Sequence, residues 1–212
     1  MKTKSFVCLI LFFLSSLVIQ AQDHTINTVF GKGGHRASGG YGAITNKFTT
    51  INGHHANMSE LYGGWYINHR FLLGFAVASV TNNIPVSPQF NAIPGASLSY
   101  EYGQVGLMTE YVIGSGKAVH VAFQLFSGAG FTMQYERHSL HDDFDSHSDE
   151  IYDEDFFFVA EPGVKVEVNV FKWMRFSPGV SYRAAFNSNG LGLSDDAISA
   201  MSYNLTLKFG KF

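Results

Sequence analysis

Residues Val119–Tyr135 read VHVAFQLFSGAGFTMQY, and apolar side chains occupy every odd-numbered position of this stretch except Ser127. The even-numbered positions carry mostly polar or small side chains. A period of two places successive side chains on opposite faces of a β-strand. The stretch is also far longer than the usual strand of about 5–6 residues. It therefore predicts a long strand with one apolar face and one face that is polar or small.

The same alternation recurs along the chain and predicts eight strands. Their predicted bounds are Arg36–Ile51, Met58–Asn68, Arg70–Thr81, Leu98–Ile113, Ala118–Arg137, Phe156–Val170, Trp173–Phe186 and Ser199–Phe209. Tight turns are predicted at 68–69, 114–116 and 171–172, and long or polar connections at 52–55, 82–96, 138–155 and 187–198. Alternate connections of an antiparallel meander lie at opposite ends, so one end should carry short turns and the other long loops. Three prolines are expected to keep the connection 82–96 out of any strand pairing.

The polar faces of the strands decide whether the apolar faces point into the barrel or out of it. A soluble barrel of the lipocalin type covers its outside with charged side chains and hides its apolar face. Here the polar faces carry mainly Gly, Ser, Thr and Asn, with a few charges of both signs that could pair in a narrow interior. The expected interior side chains are Glu161, Lys165, Glu167, Arg175, Arg183 and Lys208, with Tyr62, Phe126 and a hydrogen-bonded His120. The sequence therefore favours an all-β, eight-stranded, antiparallel, up-and-down transmembrane β-barrel whose interior is packed rather than open.

Aromatic residues near the predicted strand ends favour the same orientation. They are Trp65, Tyr66, Phe71, Tyr111, Tyr135, Phe156, Trp173 and Phe186. Membrane barrels carry such residues in girdles at both interfaces with water. The odd-numbered positions of strands 118–137 and 199–209 should therefore face lipid. The same holds for the even-numbered positions of strands 156–170 and 173–186.

The N-terminal stretch has the layout of a secretory signal peptide. Lys2 and Lys4 precede an apolar run, Phe6–Ile19, which is followed by a small residue, Ala21, at the expected cleavage site. The run is shorter than the roughly 20 residues that a transmembrane helix requires. The predicted divisions are a cleaved signal peptide at 1–21, a periplasmic segment at 22–35 that leads into the barrel, and a barrel domain at 36–212.

The composition excludes one large class of partners. The formal net charge is −3 and no stripe of Lys or Arg occurs, so nucleic acid is not an expected ligand. Cys8, the one cysteine, lies in the signal peptide, so disulfide bonds do not stabilise the mature protein. Charged residues make up 15% of the chain, against a typical value of about 25%, and aromatic residues another 15%. Such a composition suits a protein whose outer surface does not face water.

These features resemble the small eight-stranded outer-membrane β-barrel proteins of Gram-negative bacteria. The resemblance spans the mature chain and rests on the signal ending Gln20-Ala21-Gln22, the alternating strands and the C-terminal segment LTLKFGKF at 205–212. It implies a location in the outer membrane and contact with outer-membrane lipid and lipopolysaccharide. It also implies that the barrel-insertion machinery reads the C-terminal segment during biogenesis. Phe212 is out of phase with Phe209, so both remain candidates for the anchoring aromatic residue.

The resemblance implies an activity only broadly, because one fold can host many functions. Family members include adhesins, stability factors, small-molecule binders and a few lipid-modifying enzymes. The favoured expectation is a non-enzymatic protein whose long loops contact surface partners or stabilise the envelope. The alternative is a lipid-modifying hydrolase or acyltransferase, which needs a serine, a histidine and an acid at the barrel rim. The serine–histidine combinations near that rim are Ser139 with His138 or His141, and Ser59 with His55, and no nucleophile motif supports them.

The connection 138–155 has the densest set of potential metal ligands in the chain. It holds eight carboxylates and three histidines, without Lys or Arg. The candidate ligands are His138, His141, Asp142, Asp143, Asp145 and His147. Three interpretations stay open: a solvated loop, which is favoured, a weakly bound divalent cation, or a loose bridge through divalent ions to lipopolysaccharide phosphates. No other cofactor is expected, and the sequence does not identify a surface partner.

Overall fold

The computed structural model describes residues 39–67, 70–136 and 151–211, and most of these residues lie in strands that close into a ring. The strands are β1 (Gly39–Ile51), β2 (His54–Ile67), β3 (Phe71–Val80), β4 (Ile84–Pro85), β5 (Leu98–Ile113), β6 (Val119–Glu136), β7 (Ile151–Phe171), β8 (Met174–Phe186) and β9 (Ala200–Gly210). The order β3-β2-β1-β9-β8-β7-β6-β5 is antiparallel throughout, and pairing between β3 and β5 closes the ring. The two-residue β4 adds to β5 outside it. The predicted eight-stranded transmembrane barrel fold is confirmed.

Side chains alternate across the barrel wall as the sequence predicts. In β6 and β9 the even-numbered side chains are buried and the odd-numbered ones point outward, and in β7 and β8 the parity is reversed. The outward set is strongly apolar and includes Phe75 and Phe156, each 70% exposed. A continuous apolar surface of this kind is rare on soluble monomers. It suits contact with lipid.

The two ends of the barrel differ in their connections. We call the end with the β2–β3, β5–β6 and β7–β8 connections the turn end, where β1 begins and β9 ends, and we call the opposite end the loop end. The predicted polar connection at 52–55 is wrong, because β1 and β2 are joined at the loop end by Asn52-Gly53 alone. Both residues have left-handed φ angles, 49° and 75°. This geometry is the one that favours Asn-Gly in two-residue hairpins.

The connection 82–96 contains strand pairing that its prolines were expected to prevent. Ile84 and Pro85 pair with Tyr100 and Ser99 of β5. The neighbouring Val86 N donates to Leu98 O over 3.0 Å. Pro85 lies on a short edge strand. Proline is tolerated there because its missing N–H group does not remove a hydrogen bond between strands.

Strand β7 begins five residues earlier than predicted. Ile151 and Tyr152 pair with β6, and the register shifts between Thr132 and Gln134. Asp153 lies in this irregular region with a φ of 52°. A bulge breaks the period of two, which explains why the alternation in the sequence did not reveal this part of the strand.

The predicted loop 187–198 holds a one-turn helix, α1 (Asp195–Ile198). In the described part of the chain, no helix is both long and apolar enough to cross a membrane.

One of the predicted girdle aromatics lies inside the barrel. Tyr66 is 1% exposed, whereas its neighbour Trp65 is 58% exposed, because adjacent residues of a strand point to opposite faces. The other predicted aromatics are on the outer wall. Trp173 stacks on Phe171 and Phe209 at centroid distances of 5.5 and 6.2 Å. These rings form an aromatic patch on the outer wall at the turn end.

Two cross-strand pairs of inward-facing glycines bring neighbouring strands close together. Gly64 pairs with Gly74, and Gly106 pairs with Gly128. A Cβ atom on Gly106 would lie only 2.6 Å from the Gly128 Cα. The absence of side chains at these positions leaves room for the large interior residues of adjacent strands.

We expect Gly106→Ala to lower the free energy of unfolding of the refolded barrel by about 1–3 kcal/mol, the usual cost of overpacking. The matched control is Gly42→Ala on the outer wall, where an added Cβ would meet no atom within 4 Å. That change should be neutral or slightly stabilising. Urea titrations of both variants in the same lipid vesicles measure the difference. Equal stabilities would show that the close strand approach is not required.

Candidate functional site

The barrel interior is filled with charged side chains of both signs. The buried charged residues among those described are Lys47, Glu60, Glu110, Glu161, Lys165, Glu167, Arg175, Arg183 and Lys208. They comprise five cations and four carboxylates, so the charges nearly balance. All six charged residues that the sequence placed inside are buried, as are Tyr62 and Phe126.

The cluster nearer the loop end is centred on Lys47. Its Nζ lies 2.5 Å from Glu60 Oε2 and 3.0 Å from both carboxylate oxygens of Glu161. Glu161 also accepts hydrogen bonds from Gln104 Nε2 over 3.0 Å and from Ser181 Oγ over 2.6 Å. One lysine is therefore shared by two buried carboxylates that come from different strands, β2 and β7.

A second cluster lies towards the turn end and is centred on Lys208. Its Nζ lies 2.7 Å from Glu110 Oε2 and also contacts Glu167. Glu110 Oε1 is 3.3 Å from Lys165 Nζ and accepts a 3.0 Å hydrogen bond from the Tyr62 hydroxyl. The three strands β5, β7 and β9 are thus joined across the interior by ion pairs.

Glu167 connects this second cluster to the turn end. It lies 2.9 Å from His120 Nε2 and 3.3 Å from Arg175 Nη1. The other ring nitrogen of His120 is 3.1 Å from Lys117 O. The prediction of a hydrogen-bonded interior histidine is confirmed.

Arg183 does not pair with a glutamate, contrary to the sequence-based expectation. Its Nε donates to Ile198 O over 2.9 Å and its Nη2 to Thr50 O over 2.8 Å. The guanidinium group also lies 4.8 Å from the centroid of the Tyr102 ring. Because Arg183 is near the loop end of β8, carbonyl oxygens of adjacent chain ends are closer to it than the central carboxylates.

The sequence reasoning missed three members of the interior set, Lys47, Glu60 and Glu110. Each shares its face with residues that alternation places inside: Lys47, for example, has the same parity as Ala43, and Glu60 the same parity as Tyr62. The alternation in the sequence therefore already placed these three residues on the interior face. Applying the parity argument to β1, β2 and β5 as well as to the later strands would have found all three.

At the loop end, residues 82–96 and 187–198 form a folded structure that we call the loop cap. Its buried apolar side chains, together with those of the adjoining β5, are Ile84, Val86, Leu98, Tyr100, Leu193 and Ile198. The Tyr100 hydroxyl donates to Leu191 O over 2.6 Å. The two loops therefore share a small apolar core and pack as one unit.

Gln134 on β6 joins the two halves of the loop cap to the barrel. Its side chain is fully buried, donates to Phe90 O over 2.9 Å and accepts from Ala92 N over 3.0 Å. Its Nε2 also lies 3.3 Å from Asp153 Oδ2, which accepts the Leu191 N–H over 2.7 Å. The Gln134 amide thus contacts the loop 82–96 directly and is linked to the loop 187–198 through Asp153.

Two further aspartates hold the loop 187–198 in place. Asp155 Oδ2 accepts hydrogen bonds from the backbone N–H groups of Asn189 and Gly190 over 2.7 and 3.1 Å. Asp195 accepts from the N–H groups of Asn187 and Ser188 over 3.1 and 2.7 Å. Carboxylates that accept backbone N–H groups form strong, charge-assisted bonds. These residues act as structural acceptors in the loop cap.

The predicted metal ligands His138, His141, Asp142, Asp143, Asp145 and His147 lie outside the described residues, as do Ser139, the signal peptide and the segment 22–35. Within the described ranges, no group of three or more His, Cys, Asp or Glu side chains is placed to hold a metal ion. The weak cation site stays a prediction.

The second serine–histidine combination is not assembled. Ser59 and His55 are both exposed and lie four residues apart on the same strand. At about 3.3 Å per residue their separation is about 13 Å along the strand, well beyond hydrogen-bond reach. The pair does not meet the geometric requirement of a nucleophile and its base.

We expect Lys47→Met to lower the free energy of unfolding by about 3–5 kcal/mol, since it leaves Glu60 and Glu161 buried without their shared cation. The control is Lys117→Met at the exposed turn end, which should change stability by less than about 0.5 kcal/mol. Urea unfolding of the refolded proteins, followed by tryptophan fluorescence, gives both values. Similar stabilities of the two variants would contradict a structural role for the interior ion pairs.

Gln134→Ala should loosen the loop cap while leaving the barrel folded, because it removes the contacts to Phe90 and Ala92. Limited proteolysis should then cleave the segment 82–96 faster than in the parent protein. Asn189→Ala is the matched control, since among the described residues its exposed side chain bonds to Asn187 O within the same loop and not to the segment 82–96. Unchanged cleavage in the Gln134 variant would show that the two loops hold together without it.

The geometry can be compared with known proteins. No family model and no curated protein matches the sequence. Among solved structures, neisserial surface protein A aligns with 82% of this chain and 97% of its own, at 10% identity and a TM-score of 0.52. A major outer membrane protein from Thermus thermophilus gives the same identity and TM-score and covers 82% of this chain and 99% of its own. The chain therefore has the fold of eight-stranded outer-membrane β-barrels.

Proposed function

We propose that this chain is a non-enzymatic integral protein of the bacterial outer membrane, exported by a cleaved signal peptide. The exposed apolar wall supports the membrane location, because aromatic and aliphatic side chains on all eight ring strands point outward. An apolar band flanked by aromatic residues is the outer surface that a lipid bilayer requires. The likeness of fold to two outer-membrane proteins agrees with this proposal.

The packed interior supports a role other than transport. Eight strands leave a lumen just wide enough for side chains, and here the Lys47 and Lys208 clusters cross it at two levels. Arg183 and the loop cap close the loop end above them. A solute would have to break several buried ion pairs in order to pass.

The folded loop cap is the observation that favours a contact function. Its loops have their own apolar core and are fixed by Gln134 and by aspartates, so they present a defined surface at low entropic cost. We propose that this surface contacts partners outside the cell or stabilises the envelope. Its outer surface is negative, since the described charged residues there that lie outside the barrel interior are carboxylates. Suitable partners are basic surfaces, or lipopolysaccharide phosphates bridged by divalent cations.

The test of the contact function is complementation of cells that lack the gene. The cells receive the parent chain, a variant with residues 88–93 replaced by Gly and Ser, or the wall variant Gly42→Ala. We expect the cap variant to reach the membrane and resist heat unfolding like the parent, yet to fail in restoring detergent resistance or adhesion to surfaces. Full restoration by the cap variant would overturn the proposed role of the cap.

The closed interior gives a separate expectation in planar bilayers. The purified, refolded protein should show no large, stable single-channel conductance, because the ion-pair clusters and side chains fill the lumen. A sixteen-stranded porin reconstituted in the same way is the positive control. Steady large openings of this protein would contradict the packed interior and would favour a transport role.

A further inference from the structure

Outside the barrel interior, the described charged side chains divide by sign between the two ends. Arg70, Lys117, Lys172 and Lys211 are the exterior cations, and all four are exposed at the turn end. The exterior carboxylates are Glu101, Glu136, Asp153, Glu154, Asp155, Asp195 and Asp196, and all lie at or near the loop end. The turn end of the described barrel is therefore positive and the loop end negative.

Part of the positive charge surrounds a concavity that we call the turn-end pocket. The pocket has a volume of about 770 Å³ and is lined by residues 115–116 and 169–172 and by Arg175. Lys172 lies on its wall, and the backbone of Lys117 adjoins it because Asn169 Nδ2 donates to Lys117 O over 2.9 Å. Two cationic side chains, Lys172 and Arg175, thus line one pocket together with Ser115 and Asn169, and Lys117 follows the lining residue Gly116 in the chain.

The pocket opens beside the aromatic patch of the outer wall. Phe171 lines the pocket, is 55% exposed and stacks on Trp173, which is 56% exposed. Exposed aromatic rings on a membrane protein mark the level of the lipid headgroups. Cations at that level face the negatively charged phosphates, while the adjoining Val170 and Phe171 face the acyl chains.

We propose that the turn-end pocket binds the phosphate headgroup of an anionic phospholipid in the leaflet at the turn end. Lys172 attracts the phosphate, Ser115 and Asn169 offer hydrogen-bond donors, and Arg175, which is paired with Glu167, lines the pocket as well. The exposed Lys117 on the same turn as Ser115 adds to the positive potential there. The position next to Phe171 and Trp173 favours a lipid over a free phosphate ion, because a lipid also covers the apolar wall. The inference rests on the membrane location proposed above and adds a lipid preference at one end.

Tryptophan quenching by brominated lipids tests this site in the full mature chain. The protein has two tryptophans, so Trp65→Phe leaves Trp173 beside the pocket and Trp173→Phe leaves Trp65 on β2, away from it. Each protein is refolded into phosphatidylcholine vesicles that contain a minor fraction of brominated phosphatidylglycerol or brominated phosphatidylcholine. We expect Trp173 to be quenched preferentially by the brominated phosphatidylglycerol, and Trp65 to show less preference.

Variants that remove one lysine charge test whether the preference of Trp173 for phosphatidylglycerol arises from the turn-end pocket. In the Trp65→Phe protein, Lys117→Gln and Lys172→Gln should each lower the relative association constant for phosphatidylglycerol by about fivefold, the usual effect of one cation near a membrane surface. Arg70→Gln, on the β2–β3 turn, should leave the preference at Trp173 unchanged.

The outcomes separate this inference from the proposed membrane location. Quenching of both tryptophans by brominated phosphatidylcholine tests the location alone, and its absence would overturn that proposal. Equal preference at Trp65 and Trp173, or a preference that survives both lysine changes, would overturn the pocket assignment. Displacement of the lipid by inorganic phosphate, but not by chloride at equal ionic strength, would instead assign the site to a free anion and overturn the lipid assignment.

Discussion

Neutralisation of charge in a narrow, closed interior is the constraint on which the rest of this structure depends. A ring of eight strands has room for side chains but little for water, and an unpaired buried charge costs several kcal/mol. Lys47 and Lys208 meet this constraint by each contacting two glutamates from different strands. Because the charged side chains pair with one another inside the barrel, the outer wall can consist of apolar side chains. The strand ends can then support the loop cap and the turn-end pocket.

The two ends use charge differently. At the loop end, Asp153, Asp155 and Asp195 accept backbone N–H groups, so their charge helps to fold the loops into a cap. At the turn end, Lys117 and Lys172 are both exposed, and Lys172 lies between the exposed Phe171 and Trp173, so their charge remains available to a ligand. The barrel therefore presents the folded loop cap at one end and the turn-end pocket at the other.

Most of the fold could be predicted from the period of two in the sequence. This pattern reports which face of a strand a side chain occupies, and it predicted the lipid-facing parity of β6 to β9 and six interior charges. It failed where the period is broken or where local geometry decides, as in the bulge near Asp153, the Asn52-Gly53 turn and the pairing of Ile84 with β5. Tyr66 was predicted to be a girdle residue because it is aromatic and near a strand end. The alternation along β2 places it on the same interior face as Tyr62. The hydrogen-bond partners of Arg183 and of Gln134 include residues of loops that fold back onto the barrel. The alternation of apolar and polar residues along a strand does not predict how these loops fold.

The interior ion pairs also determine how the barrel can come together. Lys208 and Glu110 are 98 residues apart in the chain, and Lys47 and Glu161 are 114 apart. No single hairpin contains both members of either pair, whereas Lys47–Glu60 and Arg175–Glu167 each lie within one hairpin. The complete set of interior pairs therefore requires strands from distant parts of the chain to meet around the ring. The fold thus has a high contact order, which is the property that slows the folding of all-β proteins.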